Sequence, residues 1–161
     1  MPALALRRQK DRHQESWQVC YGDVQVGWIG ERAGVPKDAE QWGWHCGFFP
    51  LTHRGLRAHG VAESFDQARS AFEAAWRDYL PRCTEADFDE YRFERAHDAW
   101  KRRMWDAGCP MPSPTLSGTT KCFCGATISL RTSEDHIRAH HMEVVVMSTE
   151  KDDDGNACLR P

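Results

Sequence analysis

Cys122 and Cys124, followed by His136, His140 and His141, form the densest group of metal-ligating side chains in the chain. Zinc takes four sulfur or nitrogen ligands in a tetrahedron, at about 2.3 Å to sulfur and about 2.0 Å to nitrogen. Cysteines two positions apart on an extended segment leave the same face, so both sulfurs can reach one ion. Gly125 then permits a sharp turn. In "SEDHIRAHH", either Thr132 or Ser133 stands where a helix cap is needed. His140 lies one turn beyond His136 on the same side of that helix. The expected metal ligands are therefore Cys122, Cys124, His136 and His140, with His141, one position round, as the alternate. Four protein ligands leave no open position for water, so the expected cofactor is a structural Zn2+. A module this small depends on metal to stay folded.

Residues 121–142 resemble a Cys2His2 zinc finger. In that family a β-hairpin carries the two cysteines and a short helix the two histidines. The resemblance implies a ββα module with Phe123, Ile128, Leu130 and Ile137 as its small core. One residue separates the cysteines here, where the family has two to four, and Thr132 stands where a leucine is usual. The family's base-reading positions fall on Ser129, Arg131, Thr132 and Asp135. Arg131 alone is a strong base reader, and Glu134 and Asp135 oppose phosphate. The resemblance thus implies a protein partner first and DNA second.

The elements around this segment follow from periodicity. Residues 1–14 are charged and read as a flexible leader. From Trp17 the pattern has period two: "WQVCY", a Gly22-Asp23 turn, "VQVGWI" and "WGWHCGFF" are three strands. Trp17, Val19 and Tyr21 share one face, as do Val24, Val26 and Trp28, and Trp42, Trp44, Cys46 and Phe48. "PLTHRGLRAHGVAE" reads as loop. "SFDQ" is a capping box for a helix with Phe65, Ala68, Phe72, Ala75, Trp76 and Tyr79 on one side, ended by Pro81. Thr84 caps a second helix running to Ala107, its buried side Phe93, Ala96, Trp100 and Met104. The expected fold is α+β: a three-stranded antiparallel sheet packed by two helices over residues 15–108. A Pro/Ser/Thr/Gly linker over 109–120 leads to the finger-like module over 121–147, which includes a short strand from Met142 to Met147. Residues 148–161 form an acidic tail, expected to be disordered.

"WGWHCGFFP" and "SFDQARSAFEAAWRDYLPRCTEADF" resemble a group of small uncharacterised bacterial proteins over residues 15–107. That resemblance implies no activity. The order of three strands and then a helix is also similar to that of HicB-like antitoxins, a likeness of element order alone.

Other reactive residues are fewer. Arg54 and Arg57, between His53 and His59, and the helical cluster Lys101, Arg102 and Arg103 are candidate polyanion contacts. Cys46 with His53 or His59 is a conceivable nucleophile and base, although a cysteine in an aromatic strand is more simply core. No phosphate loop, nucleophile elbow or His-Glu-x-x-His is present. Lys plus Arg number 21 against 24 Asp plus Glu, a net charge of −3, so bulk charge excludes a strongly basic nucleic-acid binder. No stretch approaches the roughly 20 apolar residues of a membrane span. Seven cysteines, an odd number, fit reduced thiols in the cytoplasm. The expectation is a non-enzymatic zinc protein with a protein partner and no membrane contact. A DNA-associated regulator is the alternative, and a cysteine-dependent enzyme at Cys46 the third reading. The sequence assigns no catalytic residue and names no small-molecule ligand.

Overall fold

Period-two patterning is realised as an antiparallel meander. The computed structural model describes residues 2–10 and 13–143. The expected strand past Glu143 and the segment 148–161 lie outside the described residues. Five strands, β1 (Leu4–Gln9), β2 (Ser16–Tyr21), β3 (Val24–Glu31), β4 (Trp42–Cys46) and β5 (Ala58–Ala62), pair in sequence order. The expected three-stranded sheet is thereby corrected. β1 lies inside the supposed leader, where Leu4 and Leu6 alternate with Ala5 and Arg7 and pack against the core. β5 lies inside the supposed loop. Its small residues hide a strand signal, because its neighbour fills the space: a Cβ on Gly60 would stand 2.9 Å from the Trp44 ring. With five strands before the first helix, the element order of HicB-like antitoxins does not apply.

The register also corrects the face of Trp28. A bulge between Val19/Cys20 and β3 places Val19 opposite Gly27 and Cys20 opposite Gln25. Past that extra residue the alternation of β3 changes phase. Ile29, 1% exposed, takes the core side with Val24 and Val26, and Trp28 turns to the opposite face, 43% exposed.

Helix α1 (Phe65–Tyr79) covers the core face with Ala68, Phe72, Trp76 and Tyr79. Ser64 Oγ accepts from the Gln67 N–H at 3.3 Å, while Gln67 Oε1 accepts from the Glu63 N–H at 3.2 Å, a capping box shifted by one residue on its return bond. A single 3-10 turn at Leu80–Arg82 contains Pro81 and ends α1. Helix α2 (Glu85–Asp106) is capped by Thr84, whose N–H and Oγ donate to Asp87 at 2.8 and 2.7 Å. Phe88 and Tyr91 belong to the core of the sheet.

The described residues divide into two compact units, 2–91 and 92–143. The division falls inside α2, after Tyr91, rather than in the Pro/Ser/Thr-rich stretch 109–120. The second unit contains the rest of α2, a two-stranded ladder of β6 (Thr119–Lys121) and β7 (Thr127–Ser129), and helix α3 (Ser133–His140). Ala96, Trp100 and Met104 share its core with Cys122, Ile128 and Ile137. Leu130, expected in this core, is 63% exposed. The chain among its described residues is thus mixed α+β, with a five-stranded antiparallel sheet and three α-helices. No helix there is long and apolar enough to cross a membrane.

Candidate metal centre

The β6–β7 hairpin positions the sulfurs. Beyond β6 the Cys122 N–H donates to Ala126 O, and the Gly125 N–H donates to Cys122 O, both at 2.8 Å. Gly125, at φ +94, takes the left-handed conformation this tight turn requires. Cys122 is buried and Cys124 exposed. Burial pushes the Cys122 thiol above its ordinary pKa. The Cys124 backbone N–H and the Trp100 indole N–H oppose that shift by donating to the sulfur. The indole bond is 3.3 Å long.

Helix α3 positions the imidazoles. Thr132 precedes its first residue, but its hydroxyl accepts from the Ser129 N–H at 2.9 Å instead of capping the helix. The Ser133 hydroxyl donates to Leu130 O at 3.2 Å. Ile137, fully buried, sets the inward side of the helix. His141 is four residues further on and shares that side. It is the C-terminal cap at φ −130, ψ 10, and its N–H still donates to Ile137 O. Of the two candidates for the fourth ligand the structure brings the alternate into the group: His141 is 5% exposed and lies with Cys122, Cys124 and His136, whereas His140 is exposed. The relevant sequence signal is the i, i+4 step from an apolar core residue, rather than the same step from the first histidine.

Cys122 Sγ lies 3.4 Å from His141 Nε2, Cys124 Sγ 3.4 Å from His136 Nε2, and the two Nε2 atoms 3.1 Å apart. A zinc tetrahedron with ordinary bond lengths has S···N edges of about 3.5 Å and N···N edges of about 3.3 Å. All four ligand atoms lie within 4.8 Å of one another, so the group could hold one metal ion. Burial lowers the pKa of His136, with His140 adding to the effect. Burial also lowers that of His141, followed by His136, His140 and Arg103. Both shifts favour neutral rings with lone pairs available for a metal.

The basic candidates are divided between the units. Arg54 pairs with Asp87 at 2.8 Å and Glu90 at 3.4 Å in the first, where Arg57 is exposed. In the second, Lys101 pairs with Asp98 at 2.7 Å, and the Arg103 guanidinium lies 4.9 Å from the centre of the Phe123 ring. Arg102 and Arg131 are exposed. The first turn of α3 carries Glu134 and Asp135, which repel phosphate.

The geometry of a nucleophile at Cys46 is corrected. Its thiol is fully buried and pushed up to about 12 by burial and then by Cys83, opposite to what a nucleophile needs. Cys46 registers with Ala58 on the core side, whereas His59 registers with His45 on the other face. His53 is exposed on the loop between β4 and β5. No protein-family model, no curated protein and no solved structure matches this chain.

Proposed function

We propose that the second unit is a variant Cys2His2 zinc module, and that the protein is a non-enzymatic binding protein of the cytoplasm acting on a protein partner. The carrying observation is that two sulfurs and two nitrogens lie within 4.8 Å of one another, with two S···N separations of 3.4 Å and an N···N separation of 3.1 Å. Zinc suits this donor set, and four protein ligands leave no position for a substrate or attacking water. Cys122, Cys124, His136 and His141 would hold the ion. Trp100 orients Cys122, and the Phe123 ring, 4.8 Å from that of His141, packs on the imidazole. Such partners hold first ligands in place and tune metal affinity.

A protein partner is favoured over DNA by what this unit exposes. Trp105, Leu116 and Leu130 are 85%, 110% and 63% exposed, and aromatic side chains are enriched where proteins meet. The acidic start of α3 is unfavourable for a phosphate backbone.

Elemental analysis of the purified protein tests the metal reading, with one zinc per chain expected. Replacement by Co2+ should give the absorption of a tetrahedral site. Cys122→Ser and His141→Ala should lose the metal, and His140→Ala should retain it. A folded protein without zinc, or equal loss from His140→Ala and His141→Ala, would overturn the assignment.

A further inference from the structure

The face of the sheet turned away from α1 carries a row of side chains fixed by register. Arg7 on β1 pairs with Gln18 on β2, Gln18 with Trp28 on β3, Trp28 with His45 on β4, and His45 with His59 on β5. At a strand spacing of about 4.8 Å the row is about 19 Å long. Arg57, one residue before β5, adds a second cation at the edge opposite Arg7.

Three properties of this face point to the same ligand. Trp28, at its centre, is 43% exposed, so its indole offers a π-surface to solvent. Beside it Gly30 registers with Gly43, leaving the neighbouring row without side chains on two central strands. A Cβ on Gly43 would stand 3.8 Å from the outer edge of the Trp28 ring and 3.4 Å from the Arg32 stem, so both extend over that floor. Among the described residues no Asp or Glu occupies a strand position on this face, although acidic residues outnumber basic ones in the chain. The row instead carries Arg7, an amide and two imidazoles. Burial lowers the pKa of His45, followed by its neighbours His59 and Arg57, so a neutral ring with one donor and one acceptor is favoured there.

We propose that this face binds single-stranded nucleic acid, with a base stacked on Trp28 and phosphates running past Arg7 and Arg57. Stacking on an exposed indole needs a base outside a duplex. Gln18, His45 and His59 suit the donors and acceptors of base edges, and the described strand positions of the face set no carboxylate against the backbone. An acidic peptide would match the cations but leave the exposed indole at the centre of the face without a role. The site lies wholly in the first unit and goes beyond the zinc reading, which it does not require.

Fluorescence anisotropy of the zinc-loaded full chain with a labelled oligothymidylate of about 15 nucleotides tests this, at about 50 mM salt. A duplex of the same length and a polyglutamate peptide serve as competitors. The single strand should bind more tightly than either. Trp28→Ala should weaken binding by about 5- to 150-fold, and Trp28→Phe should retain most of it. Arg57→Gln should weaken binding less and reduce the log–log salt slope by about 0.7. A thermal melt checks that each variant is folded; Trp28→Phe, which keeps a ring, remains decisive if the alanine variant is not. The inference is overturned by no binding of the single strand, by equal or better competition from duplex or polyglutamate, by wild-type binding in folded Trp28→Ala, or by binding as weak in folded Trp28→Phe as the alanine change is expected to leave.

Discussion

The two units close their interiors by unlike means. The first does so with apolar mass: Val19, Val24, Val26, Ile29, Phe48, Phe72, Trp76 and Tyr79 belong to one buried cluster supplied by the sheet, α1 and the start of α2. The second has six buried residues in its core, one of which, Cys122, also belongs to the candidate metal centre. A cluster that small buries too little surface to hold a ladder of two three-residue strands and an eight-residue helix. An ion bridging the hairpin and α3 would supply what the apolar area does not. Helix α2 serves both clusters, through Phe88 and Tyr91 in one and Ala96, Trp100 and Met104 in the other. The comparison predicts two sources of stability in this chain, an apolar core and a bound ion, each removable separately.

Chelation should separate them most strongly. A structural zinc is worth on the order of 10 kcal/mol to its module. A strong chelator should abolish hydrogen-exchange protection over β6, β7 and α3 while β2 to β4 stay protected. Equal loss in both regions would dissolve the contrast. Phe72→Ala is the reverse experiment. It should cost about 3–5 kcal/mol in denaturant unfolding of the sheet unit and leave zinc affinity unchanged in a competition titration. Trp100→Phe keeps most of the apolar volume but removes the indole donor to Cys122. Zinc affinity should fall by about 10- to 100-fold, with the unfolding of the first unit unaltered.

The smallest effect concerns Asp87. Burial would raise its pKa, but hydrogen bonds from Thr84 and Arg54, with the Arg54 charge, hold it below the ordinary carboxylate value. A carboxylate whose folded pKa is depressed stabilises the protein above the unfolded value, near ~3.9. That contribution is lost as pH falls through the lower folded value. Asp87→Asn should therefore cost about 1 kcal/mol at neutral pH. It should flatten the stability profile below about pH 4, as measured by urea midpoints, without altering zinc binding.

Much of this organisation was legible in the residues. Ser64 with Gln67 and Thr84 with Asp87 announce two helix starts, because a cap is a local arrangement of neighbours in the chain. The stripe from Ala68 to Tyr79 announces which side of α1 is buried, through the 3.6-residue period. Cys122 and Cys124 announce the sulfur donors, but a turn over 122–125, rather than the extended segment expected, sets where they point. β1 and β5 were not legible. Leu4 and Leu6 lie among charges that suggest a leader, and Gly60 owes its smallness to Trp44 on another strand.

By itself, then, the sequence determined the donor types, the two helix caps and the apolar stripes, all of them set by side-chain chemistry and short-range spacing. Only the tertiary structure decided the remainder. The bulge beside Val19 turned Trp28 outward because one extra residue reverses a two-residue alternation. The burial of Ile137 selected His141 over His140, because the inward side of a short helix is set by what it packs against.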